Sequence, residues 1–410
     1  MPGVLFLVHR IPYPPNKGDK IRSFHLLEFL SRSFDVHLGA FVDDPDDWRH
    51  ADALDRYCAS RFLREFPGKR IGQALRALLH GRALTPEFYA DREMERWVSE
   101  TLAGKEIDTI VVYSSAMGRF IPPDCSLPVV TDFVDVDSDK WAQYARSAQQ
   151  PLKWLYRREA RTLAGWERGL ADRSVASVFV TEHEAELFRQ IAPAAHGRIH
   201  AVENGVDTQF FDPALSFDCP YPDNVPIFVF TGAMDYQANV DAVVWFATEV
   251  HPRICERHPD AGFCIVGANP AKAVRRLGGH NGITVTGRVD DVRPYLQHAR
   301  AAVAPLRIAR GIQNKVLEAM AMARPVLATR AAIDGIPLPE QLDALISEQP
   351  ETLAVLAGEV ISGAHSTTGA SGREFVLRHY RWDRNLEKFG GLLPAAQHQT
   401  TVPTSGAPAS

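Results

Sequence analysis

Gly311-Ile312-Gln313-Asn314-Lys315-Val316-Leu317-Glu318-Ala319-Met320-Ala321-Met322-Ala323-Arg324-Pro325-Val326-Leu327-Ala328-Thr329 reads as a loop, a helix and a buried strand. Val316, Leu317, Met320 and Ala323 fall at helical spacing, Arg324 and Pro325 end the helix, and Val326 to Ala328 form a short apolar run of the parallel-sheet kind. Asn314, Lys315 and Glu318 then occupy the first turn or so of the helix, where unpaired N–H groups meet anions. Glu318 lies three residues beyond Lys315, so both can face one ligand.

Outward from this stretch, strands and helices alternate. Val4 to Val8 reads as a buried strand followed by a Pro-rich loop and a helix from Asp19 to Ser31. Further apolar runs stand at Val36 to Val42, Ile107 to Tyr113, Val129 to Phe133, Val175 to Thr181 and Ile199 to Val202, with a long helical pattern from Leu152 to Ala171. A second series begins at Ile227 to Thr231, continues through a helix at Val240 to Glu256, and adds strands at Gly262 to Gly267, Ile283 to Thr286 and Ala301 to Pro305. Each series predicts an α/β, doubly wound, Rossmann-like parallel sheet. Asp212 to Pro226 holds four prolines between them and reads as the linker. Asn204-Gly205 reads as a turn pair whose glycine can take positive φ, with a structural role.

A chain of 410 residues suits two domains of about 200 residues each. The composition is 45% hydrophobic and 23% charged with a net charge of −5, which argues against nucleic acid as a bulk partner. Five scattered cysteines without a C-x-x-C pair fit a reducing compartment better than a disulfide frame or a zinc site. No apolar run reaches the roughly eighteen residues of a membrane span, and Val4 to Val8 is too short for a signal peptide, so a cytoplasmic protein is expected. The last residues, from about 395, are rich in Ala, Pro, Ser, Thr and Gln and are expected to be disordered. No P-loop, G-x-G-x-x-G, H-E-x-x-H or G-x-S-x-G motif occurs in a fitting context.

Several motifs, in order and spacing, resemble the retaining family-four glycosyltransferases: Glu203-Asn204-Gly205-Val206-Asp207, Val285-Thr286-Gly287-Arg288-Val289 with Asp291, Leu317-Glu318-Ala319-Met320 and Pro325-Val326-Leu327-Ala328-Thr329. Pro12 to Arg22 and Asp132 to Ser138 are similar to a narrower group, the sugar transferases of bacterial exosortase and exopolysaccharide loci. The resemblance implies the GT-B architecture, two Rossmann-like domains facing a cleft. Its bounds here are 1–212 on the acceptor side, a linker at 213–226, 227–375 on the nucleotide-sugar side, and a helical segment at 376–394 that crosses back to the first domain. It further implies a metal-independent glycosyltransferase of hexosyltransferase type, without a cofactor, that moves a sugar with retention from a nucleotide diphosphate donor to a glycan or lipid-linked acceptor.

Such transfer needs a slot for base and ribose, positive charge for the departing diphosphate and a dry cleft. By resemblance, Glu318 accepts from the ribose hydroxyls and Gly287, Arg288 and Val289 read the base. Gly18 lets a phosphate or sugar approach the backbone at a helix start, with Lys17, Lys20 and Arg22 as nearby charge, or is a plain turn glycine. The family's two adjacent glycines in this loop are here Gly18 and Asp19. Relatives place arginine and lysine in the first loop of the second domain, whereas Gly232 to Asn239 contains neither. Lys315 is the replacement, with Asn314 beside it and Arg288, Arg307 and Arg310 as further cations. Arg310 also stands where the family often has a glutamate that touches the donor sugar.

Val134 takes the place of a histidine common in relatives, and the neighbouring Asp135 is a candidate to orient or deprotonate the acceptor hydroxyl, or else a turn residue. Asp135-Val136-Asp137 spells a D-x-D pattern, but a single-domain metal enzyme would leave the second series unexplained, so no metal is expected. The basic, Leu-bearing stretch from Arg61 to Arg82 suits a helix on an anionic lipid surface, at the inner face of the cytoplasmic membrane, or a solvated face. A GT-B epimerase or phosphorylase, or a catalytically silent sugar-nucleotide scaffold, remains an alternative.

Overall fold

The computed structural model describes residues 1–15, 18–68, 71–308 and 312–394. Two units form, Met1–Glu203 with the chain from Asp383 onward, and Asn204–Trp382. Arg310 and the tail from 395 lie outside the described residues, as does Lys17.

In unit one the order is β1 Gly3–Val8, α1 Gly18–Ser31, β2 Asp35–Val42, β3 Ser60–Glu65, α2 Ile71–Leu79, α3 Leu84–Phe88, α4 Arg92–Gly104, β4 Ile107–Tyr113, β5 Val129–Val134, α5 Asp137–Ser147, α6 Leu152–Arg173, β6 Ala176–Phe179, α7 Glu182–Ile191 and β7 Ile199–Ala201. Unit two continues with β8 Ile227–Thr231, α8 Gln237–Trp245, α9 His251–Arg257, β9 Gly262–Val266, α10 Lys272–Arg275, β10 Ile283–Gly287, α11 Arg293–His298, β11 Ala301–Ala304, α12 Asn314–Ala321, β12 Val326–Ala328, α13 Glu340–Asp343, α14 Pro350–Ser362 and α15 Thr368–His379. A last helix, α16 Trp382–Gly390, brings the chain into unit one, where Lys388 pairs with Glu203 at 2.9 Å.

Among the described residues each unit has one parallel sheet, ordered β3-β2-β1-β4-β5-β6-β7 and β10-β9-β8-β11-β12. Helices cover both faces of such sheets, so the central strands are apolar throughout: every residue of β1, β8 and β9 is buried. Strand order reverses between β1 and β4 in unit one and between β8 and β11 in unit two. Ligand sites in open parallel sheets sit at the carboxyl ends of the strands that flank this reversal. Local chemistry sets the helix bounds. Asp91 and Thr181 accept from the first-turn amides of α4 and α7, and Gly363 ends α14 in the left-handed region.

Three expectations change. The stretch from Arg61 to Arg82 is not one basic helix: Ser60–Glu65 extends the sheet beside β2, Arg61 pairs with Asp52 and Asp55, and Arg64 pairs with Asp91 and Glu93. Phe62 packs on the core and stacks on Trp97 from this edge strand, and among the described residues of the stretch α2 alone is helical. The chain passes between units at Glu203–Asn204, and Asp212 to Pro226 lies within unit two. Gly205 serves packing without using a positive φ: a Cβ there would lie 2.5 Å from the Trp382 backbone nitrogen. Lys20 and Arg22 are not available to a phosphate, because both are buried in ion pairs, Lys20 with Asp47 at 2.7 Å and Arg22 with Asp132 at 2.8 Å.

Candidate functional site

The reversal point of unit two is built by α12 and the loop after β8. Lys315 reaches from the first turn of α12 to the Asn239 carboxamide, donating to Oδ1 at 2.5 Å, while the Asn239 Nδ2 donates to the Ala233 carbonyl at 2.9 Å. The ammonium also lies 4.5 Å from the centre of the Phe230 ring, a cation–π contact. Gly232 makes this convergence possible: a Cβ there would stand 2.8 Å from Asn239 Nδ2 and 3.4 Å from Lys315 Nζ.

Burial pulls the Lys315 ammonium down to about 8, against the attraction of Glu318. Burial likewise pushes the Glu318 carboxyl up to about 7, with Lys315 opposing. Both groups carry their charge at a cost that a bound diphosphate or a set of hydroxyl donors would offset. Within the described residues no hydrogen bond reaches the Glu318 side chain, and the buried Asn314 Oδ1 also lacks a partner. The helix start therefore presents an acceptor, a carboxylate and a cation side by side.

The same sheet edge carries the Gly287 motif. Gly267 donates to the Gly287 carbonyl at 3.1 Å and Gly232 donates to the Val266 carbonyl at 3.0 Å, which laces the ends of β8, β9 and β10. Gly287 has a φ of +73°, turning the chain so that Arg288 points into solvent while Val289 packs on the core. Arg307 is not a free cation, since it pairs with Asp241. Asn239 and Phe230 were missed by sequence reasoning. The stretch from Gly232 to Asn239 offers a carboxylate at Asp235 and amides at Gln237 and Asn239, and nothing local to it says which of the three meets Lys315.

In unit one, Gly18 begins α1 with open space where a Cβ would lie, so nothing nearby demands glycine. Asp135 follows the end of β5 and binds Lys140 at 2.7 Å; Asp137 shares the same ammonium at 3.1 Å. Burial would lower the Lys140 ammonium, but Asp137 and Asp135 outweigh it and hold it above its ordinary value. The D-x-D pattern thus encloses a lysine. Among the described residues no group of three or more His, Cys, Asp or Glu is placed to hold a metal ion.

Backbone strain gathers at this edge. Ser114, after β4, has a φ of +74°, and the β-branched Val134, at the end of β5, has a φ of +70°. His9, directly after β1, stacks on Tyr113 with ring centres 5.7 Å apart and approaches Asp19 at 3.4 Å. Its Nδ1 is buried without a hydrogen-bond partner. Sequence reasoning missed His9 because its neighbours at the reversal point come from β4 and α1, distant in the chain.

Residues 225–361 match the family model described as Glycosyl transferases group 1. A search of the curated proteins finds no match. Among solved structures, sucrose-phosphate synthase from Thermosynechococcus elongatus aligns with a TM-score of 0.69 at 16% identity, over 98% of this chain and 100% of that one. Anabaena HepE in complex with UDP aligns at 0.66 and 12% identity, over 96% and 100%. WaaG, a glycosyltransferase involved in lipopolysaccharide biosynthesis, aligns at 0.58 and 16%, over 98% and 100%. The fold is GT-B.

Proposed function

We propose that this chain is a glycosyltransferase that moves a sugar, with retention and without a metal ion, from a nucleoside diphosphate donor to a polysaccharide or lipid-linked oligosaccharide acceptor in exopolysaccharide synthesis. One observation carries the reading: Lys315, held by Asn239 and set beside Glu318 at the start of α12, lies at the strand reversal of unit two, inside the segment that matches Glycosyl transferases group 1. Lys315 and the free amides of the helix start would neutralise the departing diphosphate. Glu318 would accept from the ribose hydroxyls, with Asn314 adding an acceptor, and Gly287 to Val289 would line the base. In unit one Gly18 would border the sugar or phosphate path, and Asp135 would orient the acceptor hydroxyl.

HepE has been solved with UDP and with UDP-glucose, which makes uridine nucleotides the first probes. Thermal shift with UDP, GDP, ADP and their sugars should single out one base, because a ligand that binds only the folded state raises its apparent stability. Lys315→Ala and Glu318→Ala should each remove most of that shift. If both variants bind and turn over donor as the parent does, the assignment of roles is wrong. EDTA should leave transfer unchanged.

A peripheral membrane contact is supported by α2, where Ile71, Leu75 and Leu79 recur at helical spacing with exposures of 78%, 55% and 84%. No helix among the described residues is long and apolar enough to cross a membrane. A second reading, a sugar-nucleotide-binding scaffold without transfer, is favoured by the engagement of Asp135 with Lys140. Tight donor binding with neither hydrolysis nor transfer to lipid extracts would select it.

A further inference from the structure

In unit one, α5, α6 and α7 line an open groove of about 660 Å³, within the size range of small-molecule sites, which starts at Ser138 and Asp139 just past the end of β5. Its floor is apolar: Ala142 and Ala145 from α5, Ala160 and Ala164 from α6, and Leu187 and Ile191 from α7. Arg146, Arg157 and Arg161 form the rim, and Ser138 and Asp139 close the far end. α5 and α6 run as an antiparallel hairpin, so Arg146 and Arg157 sit toward its tip and Asp139 and Ala164 toward its base.

Charge complementarity identifies the occupant. Arg158 and Arg189, on the same helices, have acidic neighbours: Arg158 lies 3.8 Å from Glu159 and donates to the Ala77 and Arg82 carbonyls, and Arg189 pairs with Glu182 and Glu186. The three rim arginines are exposed and have no acidic partner among the described residues; the one carboxylate of the groove, Asp139, accepts from Gln143. The tip adds exposed Tyr144, Leu152 and Trp154, at 56%, 51% and 59%, an amphipathic set suited to a lipid–water boundary. A free inorganic anion would leave the alanine floor unused, and an uncharged chain would leave three guanidinium groups without a counter-charge. We propose that this groove binds a lipid phosphate, its headgroup on Arg146, Arg157 and Arg161 and an apolar chain along the alanine floor toward Ser138. The site does not depend on glycosyl transfer.

The test uses the full chain and dodecyl phosphate below its micelle concentration, read by calorimetry, with inorganic phosphate, dodecyl maltoside and an acidic amphipathic peptide as comparisons. Dodecyl phosphate should bind saturably at one site, about tenfold or more tighter than either half-molecule, reflecting two kinds of contact made at once. The combined Arg146→Ala, Arg157→Ala and Arg161→Ala variant should lose about tenfold or more, as expected for lost charge-assisted bonds. Ala160→Phe with Ala164→Phe should block the chain; should that core-side change unfold the protein, the surface arginine variant decides alone. Equal binding of inorganic phosphate, undiminished binding by the arginine variant, or tighter binding of the peptide would each overturn the proposal. Nucleotide thermal shifts on the arginine variant should match the parent, which separates failure here from failure of the transfer reading.

Discussion

Lys315 and Glu318 carry charge where burial opposes it, and their titration is the most direct residue-scale handle on the site. Donor affinity should fall as pH drops through about 7, when the Glu318 carboxyl gains a proton and ceases to accept, and again as pH rises through about 8, when Lys315 loses its charge. Calorimetry with an intact nucleotide sugar across this range should give a maximum between the two. Glu318→Gln should flatten the acid side and Lys315→Met the alkaline side. Linkage has the reverse sign for the free protein: a carboxyl raised from 4.5 to about 7 on folding makes the folded state less stable as pH climbs through that interval. Asn239→Ala should release Lys315 from its anchor and weaken donor binding by on the order of tenfold, and should cost about 1–3 kcal/mol in denaturant unfolding because the Lys315 ammonium and the Ala233 carbonyl lose their partner. Asp132→Asn is a different matter, because it leaves the Arg22 guanidinium buried beside a neutral amide. Denaturant unfolding should register a loss of about 3–5 kcal/mol.

Elements decide which of these residues meet. The α12 motif and its succeeding strand were legible because helical spacing and an apolar run are local patterns, and Asn314, Lys315 and Glu318 sit on one helix start regardless of what surrounds them. The Arg61 to Arg82 stretch was not legible, since the same apolar pairs suit an edge strand or a helix and the choice was made by β2, which offers Ser60–Glu65 a parallel partner. The short α2 that remains still shows its apolar face to solvent. Leu75→Glu with Leu79→Glu should lower flotation with anionic vesicles several-fold while leaving unfolding within about 0.5 kcal/mol of the parent, as exposed positions do. Val134 shows strain at the level of a strand end. Replacing it with glycine should relieve the positive φ and raise stability by about 1 kcal/mol in denaturant unfolding.

At the scale of the whole molecule, two separate cores predict that calorimetric unfolding departs from a single two-state transition. The cognate nucleotide should raise the transition that belongs to residues 204–382 and leave the other in place. Limited proteolysis with and without nucleotide should protect the same span. The residues themselves determined the alternation of strand and helix, the parallel sheets and the place of Glu318 and Lys315, because hydrophobic period and helix-start chemistry act over a few neighbours. Only the tertiary structure decided that Lys20 and Arg22 would be spent on internal ion pairs, that Asn239 would hold Lys315, and that Asp135 would close on Lys140. Those outcomes depend on contacts between groups from 5 to 110 residues apart, and no local period encodes such pairings.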